Sequence, residues 1–252
     1  MNILNIYIIL NIKINFFIFL YNMTDKNIYI CIEGIDGVGK ETQSKLLKDY
    51  LIEKYSKEKV ILQNFPNYNS EGCFPVKLYL NGNLSNTANE ITAYQSSVLF
   101  AVDRFITMKK YEKEKIENKI FVLDRYVSSN MVHQGGKIKD KKELNDFLEW
   151  LDNFEFNLMG IPKVDKVIYL KISVEKSLEI RQGRMNKNLM EKDIHETDIN
   201  HLINASETGL YIAKKFGWDI IDCQNETGEM KSRQEIHKEI VRRIEPLLSN
   251  IK

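Results

Sequence analysis

Short apolar runs alternate with longer stretches whose apolar residues recur every three or four positions, from Asn27 to the end of the chain. The runs Ile28–Ile32, Val60–Phe65, Ile120–Asp124, Lys166–Ile172 and Ile220–Cys223 read as strands. Leu46, Leu47, Tyr50 and Leu51 fall at helical spacing between the first two. Tyr94, Val98, Val102 and Phe105 do the same within Ile91–Tyr111, and Leu144, Phe147, Leu148 and Leu151 within Lys141–Phe156. A further helix is predicted from about Asp198 to near Gly217, a plausible C-cap glycine. The last begins at a capping box, Ser232 with Glu235, and carries Ile236, Ile240 and Ile244. Strands alternating with helices predict an α/β fold, one parallel sheet of five strands covered on both faces, in a three-layer α/β/α domain. No repeat or low-complexity linker divides residues 23–252, so they read as one domain.

Residues 1–22 follow another pattern, Ile, Phe, Leu and Tyr interleaved with Asn5, Asn11, Lys13 and Asn15. A basic start and a small-residue cleavage site are both missing, which argues against a signal peptide. Lys13 and the asparagines argue against a membrane span. Translated upstream sequence ahead of a natural start at Met23 is the expectation, with a weak anchor or a structural element as alternatives. No stable membrane association is expected.

Composition narrows the function by exclusion. The net charge of +1 over 252 residues supplies no basic field for nucleic acid. Cys31, Cys73 and Cys223 are odd in number and widely spaced, which speaks against a disulfide framework or zinc knuckle and for buried thiols in a reducing compartment. Function must come from local sites.

One such site is explicit. Gly34-Ile35-Asp36-Gly37-Val38-Gly39-Lys40 follows a strand and opens a helix, the setting a phosphate-binding loop needs. Glycines let backbone N–H groups turn inward around phosphates, and the helix N-terminus adds partial positive charge. Lys40 then reaches the β- and γ-phosphates of ATP. The next residue is Glu41 rather than a Ser or Thr ligand for Mg²⁺, followed by Thr42. Thr42 is expected to line the phosphates, with Glu41 in solvent or on a metal-bound water. No NKxD guanine-reading motif occurs, which removes a switch GTPase.

Arginine is scarce, seven of the 36 basic residues, so its placement is informative. Arg233, Arg242 and Arg243 fall on the last helix and read as solvated. Arg104, Arg125, Arg181 and Arg184 fall in stretches that resemble a known family. Ile32-Glu33-Gly34-Ile35-Asp36-Gly37, Phe65-Pro66, Leu99-Phe100-Ala101-Val102-Asp103-Arg104, Asp124-Arg125-Tyr126-Val127-Ser128-Ser129-Asn130 and His133-Gln134-Gly135 stand in the order and at the spacing of thymidylate kinases.

That resemblance implies transfer of a phosphoryl group from MgATP to dTMP. It implies that Phe100 stacks on thymine and Arg104 bonds the base edge, that Asp36 lies near the 3′-hydroxyl and phosphate of the acceptor, and that Phe65, Pro66, Asn130 and Gln134 contact dTMP. His133 would sit beside the 2′ edge of the sugar. Asp124 would associate with Mg²⁺, through water, and Arg125 would clamp both phosphates. Arg181 and Arg184, with Lys187 and Lys192, resemble a helical lid over ATP; because Gly37 follows Asp36, the catalytic arginine is expected from Arg181, Arg184 or both. Asn64 stands where many members carry an arginine, so Lys77 is a candidate helper for the acceptor phosphate. A cytoplasmic homodimer is also implied. The rival readings are another nucleoside monophosphate or deoxynucleoside kinase, and a non-catalytic nucleotide-binding module.

Overall fold

A computed structural model describes residues 26–85, 87, 90–185 and 199–249. Residues 1–22, Lys187, Lys192 and the predicted helix start at Asp198 lie outside the described residues. Five parallel strands, β1 (Ile28–Gly34), β2 (Val60–Asn64), β3 (Ile120–Asp124), β4 (Lys166–Lys171) and β5 (Asp219–Asp222), form one sheet in the order β2-β3-β1-β4-β5. The predicted strands agree to within two residues at each end.

Alternation along the strands assigns the two faces. Ile30 and Ile32 of β1 pack with Leu47 and Leu51 of α1 (Lys40–Lys54) on one side, together with Ile236, Ile240 and Ile244 of the C-terminal helix. Cys31, Phe121 and Leu123 face the other side. There they meet Met108 of the long helix Ala93–Lys113, Phe147, Leu148 and Leu151 of the helix Lys141–Asp152, and Ile212 of the helix Ile199–Lys215. With both faces covered, the sheet buries near-continuous apolar strands, as a parallel sheet requires. All three cysteines are free and buried.

In chain order the remaining helices are α2 (Phe74–Leu80), α3 (Ala93–Lys113), α4 (Val127–Ser129), α5 (Lys141–Asp152), α6 (Val174–Met185), α7 (Ile199–Lys215) and α8 (Arg233–Leu248). The capping box at Ser232 and Glu235 forms as predicted, and a second one joins Thr92 to Gln95 at the start of α3. Gly217, at φ 65°, follows the end of α7. Arg233 and Arg242 are exposed, but Arg243 bonds Asp219 Oδ1 at 3.1 Å, so the expectation of a solvated Arg243 is corrected.

Two departures from the predicted pattern concern function. The helix expected over Lys141–Phe156 stops at Asp152 and continues as a π-helical turn, Asn153–Leu158. A second π-helical turn, Asn130–Gln134, follows α4. Such wide turns shift the facing of side chains relative to α-helical spacing and recur at functional sites. Here one carries Glu155, the other Asn130, His133 and Gln134.

Candidate active site

Register brings the ends of β1, β2 and β3 level, with Asn64 opposite Asp124 and Asp124 opposite Ile32. Open α/β sheets bind ligands beyond this carboxyl edge. A cavity of about 410 Å³ opens there, floored by Asp36, Gly37, Gly39, Lys40, Glu41 and Thr42 and walled by Phe65, Pro66, Phe100, Arg104, Asp124, Arg125, Asn130, His133, Gln134 and Arg181.

At the loop end, Gly39 takes a left-handed conformation and no side chain caps α1, so the first N–H groups of the helix face the cavity. Lys40 Nζ donates to the carbonyls of Gly34 (2.8 Å) and Ile35 (2.9 Å) and stands 3.6 Å from Asp36. Burial lowers the Lys40 pKa to about 8, reinforced by Arg125 and resisted by Asp36, Glu33 and Asp124. Two predicted loop contacts stand behind the floor instead. A Cβ on Gly34 would lie 2.4 Å from the Leu170 carbonyl, so close strand packing demands glycine, while Val38 turns its side chain into the core. Glu41 is exposed and bonds Lys45 at 2.5 Å, the helical i,i+4 pairing, which answers the question of its direction in favour of solvent.

Gly37 explains why the loop carries no arginine. Its φ is 84°, and an added Cβ would meet the Ser177 carbonyl at 3.3 Å. Ser177 also donates to the Asp36 carbonyl at 2.5 Å, so α6 lies directly on the loop. The same helix delivers Arg181 to the cavity, 5% exposed, its Nε buried without a hydrogen-bond partner among the described residues. Arg184 belongs to α6, but its side chain lies outside the described residues.

Arg125 occupies the junction. It adopts φ 66°, a left-handed conformation that costs a non-glycine residue about 1–3 kcal/mol. Its Nη2 donates to Asp36, and its Nη1 reaches His133 Nε2 at 3.0 Å and Ser129 Oγ at 3.4 Å. Burial alone would raise the Asp36 pKa, but Arg125 and Lys40 hold it well below the carboxylate range. Burial, aided by Arg125, pushes His133 well below its usual range, so it is neutral. An arginine can only donate, so His133 Nε2 accepts and its proton sits on Nδ1, 3.4 Å from His201 Nε2 of α7.

Behind Arg125 lies Glu33, fully buried, accepting from Gly34 N (3.0 Å), Ser128 Oγ (2.8 Å) and Ser129 Oγ (2.7 Å). Neither Glu33 nor His201 was among the predicted site residues. Their partners are 68 to 96 positions away or hidden in the motif itself, and no local spacing marks them.

At the acceptor end, Phe100 and Arg104 share a face of α3, as their spacing predicts, but Arg104 does not project into solvent. Its Nε and Nη2 grip Glu155 at 2.6 and 2.7 Å, and its Nη1 reaches the Tyr126 carbonyl at 3.3 Å. Asn130 Nδ2 donates to the Ser97 carbonyl (3.1 Å) and to Glu155 (3.3 Å), while Gln134 Oε1 accepts from Ser96 (2.7 Å). Glu155 is a site residue that sequence reasoning missed. Asp103, on the cavity wall, holds the Asn67 amide at 2.7 Å through Oδ2, and its other oxygen is buried without a partner among the described residues. Lys77 bonds the Tyr68 carbonyl at 2.8 Å and does not line the cavity, which removes it as the substitute for a charge at Asn64. Tyr68 does line it.

Asp124 lines the cavity between Lys40 and Arg125, and burial raises its pKa against their pull. With Thr42 it supplies the oxygen donors that suit a Mg²⁺ ion completed by water and phosphate. Among the described residues no group of three or more His, Cys, Asp or Glu forms a closed metal site, and no helix is long and apolar enough to cross a membrane.

Comparison with known proteins gives the same picture. The Thymidylate kinase family model matches residues 32–234. A probable thymidylate kinase from Methanococcus aeolicus is 35% identical over 219 residues, covering 86% of this chain and 96% of the relative. One from Thermococcus gammatolerans is 31% identical, covering 89% and 99%. Among solved structures, the thymidylate kinase of Candida albicans superposes with a TM-score of 0.63 at 21% identity, covering 88% of this chain and 93% of that one. At that identity the superposition speaks for the fold alone, whereas the sequence matches reach the loop, the Asp124-Arg125 pair and the acceptor wall together. The chain belongs to the thymidylate kinase family.

Proposed function

We propose that the protein transfers the γ-phosphoryl group of ATP, bound with Mg²⁺, to the 5′-phosphate of dTMP, giving dTDP and ADP. The observation that carries this reading is one cavity lined both by the phosphate-loop residues Asp36, Gly37, Gly39 and Lys40 and by Phe100, Arg104, Asn130 and Gln134, with Arg125 in the same wall. A phosphate oxygen of dTMP attacks the γ-phosphorus, and the bond to the β,γ-bridging oxygen breaks with ADP leaving. Little covalent chemistry is asked of the protein, so positioning and neutralisation of charge supply the rate.

The residues divide that work. Lys40 and the N–H groups opening α1 hold the donor phosphates. Arg125 moves from Asp36 toward the phosphates as the acceptor enters, and Asp36 is then left to take the 3′-hydroxyl. Arg181, with Arg184 from the same helix, neutralises charge on the transferring group, a role worth on the order of 10³-fold in comparable enzymes. Asp124 and Thr42 would hold the metal through its water shell, and the ion would neutralise the β- and γ-phosphate oxygens. Phe100 stacks on the base and His133 crowds the 2′ edge of the sugar. A cytoplasmic homodimer accompanies this reading by resemblance.

Coupled ADP release with dTMP, set beside dUMP, dCMP, AMP and thymidine, tests it. Lys40→Ala, Arg125→Ala and the paired Arg181/Arg184 replacement should each lose at least about 10²-fold. ATP binding without dTMP-dependent ADP release would overturn the proposal in favour of a binding module, and preference for thymidine would favour a nucleoside kinase.

A further inference from the structure

We infer that Glu155 sets the base selectivity of this site, by fixing which hydrogen-bonding groups Arg104 and Asn130 turn toward the acceptor. The inference rests on the reading of this cavity as a pyrimidine nucleotide site. Glu155 is fully buried on the π-helical turn after α5 and does not itself line the cavity. Its carboxylate is shared by two residues that do, Arg104 through Nε and Nη2 and Asn130 through Nδ2.

The consequence follows from what each group can do. An ionised carboxylate only accepts, and so does the Ser97 carbonyl. Asn130 therefore turns Nδ2 toward both, since a flipped amide would set Oδ1 against two acceptors. What remains for the ligand is Asn130 Oδ1, an acceptor. Arg104 has five N–H donors, of which two bind Glu155 and one the Tyr126 carbonyl, leaving two on Nη1 and Nη2. The wall thus offers donors beside an acceptor. That pattern complements a pyrimidine 4-carbonyl beside an N3–H, the edge of thymine or uracil. Cytosine presents the reverse, an amino donor beside an unprotonated N3, and would face donor against donor and acceptor against lone pair. Because Glu155 also places its charge next to the guanidinium, the polarity is held before any nucleotide binds.

Replacing the carboxylate by an amide should release that polarity. In Glu155→Gln the new N–H₂ can donate to Asn130 Oδ1, so only the Ser97 carbonyl still favours the original orientation and the amide can turn Nδ2 into the cavity. The experiment compares kcat/KM for dTMP, dUMP and dCMP in the wild type and Glu155→Gln, with KM for ATP and thermal unfolding alongside. The wild type should prefer dTMP and dUMP to dCMP by on the order of 10²-fold or more. In Glu155→Gln the dTMP:dCMP ratio should fall at least about tenfold while the dTMP:dUMP ratio and KM for ATP hold, because dUMP shares the edge and ATP does not touch it. An equal loss for all three nucleotides, with unchanged ratios, would overturn the inference and leave Glu155 a structural residue.

Should Glu155→Gln fail to fold, Glu155→Asp, which keeps the charge but draws it back from Arg104 and Asn130, should also lower the dTMP:dCMP ratio, and an unchanged ratio would overturn the inference. The wild type in turn tests the polarity of the wall. Binding of N3-methylated dTMP, which lacks the N3–H, should be weaker than binding of dTMP by on the order of 10²-fold, and equal binding would overturn the inference. If the wild type phosphorylates none of these nucleotides, the proposed reaction fails, while equilibrium binding of thymidine against deoxycytidine nucleotides still tests the polarity of the wall.

Discussion

Arg125 and Asp36 meet in a direct ion pair across the mouth of the phosphate-binding loop, 89 positions apart in the chain. The arginine comes from a left-handed backbone position after β3, the aspartate from the turn after β1. Each neutralises the other, and Lys40 stands 3.6 Å from the same carboxylate. An incoming phosphate therefore competes with Asp36 for Arg125. The pair keeps two strong charges oriented in a partly buried site.

Asp36→Asn should lower kcat/KM for dTMP by about 10- to 100-fold, because the amide no longer pre-positions the Arg125 guanidinium by charge and is a weaker acceptor for the 3′-hydroxyl. Arg125→Lys should cost on the order of 10²-fold or more despite conserving charge, since an ammonium cannot span Asp36 and His133 at once. Steady-state kinetics with dTMP varied at saturating ATP check both.

ATP binding should weaken above pH 8. Lys40 must be protonated to meet the phosphates, and burial has lowered its pKa from 10.5 to about 8. Affinity for ATP should then fall toward tenfold per pH unit above that value, while the corresponding limb in kcat lies higher because bound phosphates restore the charge. Stability moves the other way. The unfolded chain keeps the Lys40 proton up to about 10.5, so between 8 and 10.5 the unfolded state binds more protons and the ligand-free protein gains stability as pH rises. Titration of ATP affinity and of unfolding free energy against pH, with Lys40→Met as the control lacking both trends, checks the sign.

Gly37→Ala should reduce activity and destabilise the protein together. The added methyl group would strain a φ of 84° and press on the Ser177 carbonyl at 3.3 Å. A cost of about 1–3 kcal/mol is expected in denaturant unfolding, and a larger residue there should push α6 and Arg181 off the loop. Gly37→Ala with unchanged stability and rate would show that α6 does not lean on the loop.

Lys77→Ala should leave KM for dTMP within about twofold of the wild type. The amine is exposed, held by a backbone carbonyl and outside the cavity, and such surface contacts contribute little. A tenfold rise in KM would return Lys77 to the acceptor phosphate.

Much of the architecture was legible in the sequence because it rests on local rules. Short apolar strands, amphipathic helices and the Ser232 capping box each depend on neighbours within a few residues. The failures are equally physical. The helix over Lys141–Phe156 was read four residues too long because a π-helical turn keeps helical composition while changing the pitch. Arg243 finds Asp219 on another element, which no local spacing marks, and close packing against Leu170 requires glycine at position 34 while the Val38 side chain joins the core.

What the sequence determined alone is the presence of a phosphate-binding loop between a strand and a helix, and the set of charged and aromatic residues that accompany it. Backbone N–H groups bind phosphate wherever a glycine-rich turn opens a helix, so that property is written in consecutive residues. Only the tertiary structure decided how those residues are oriented. Glu155 reaches Arg104 across 51 positions, Glu33 reaches Ser129 across 96, and His133 meets His201 across 68. A buried charge is tolerated only where a distant partner completes it, and which partner that is depends on the packing of whole elements. The cavity and its polarity belong to that packing.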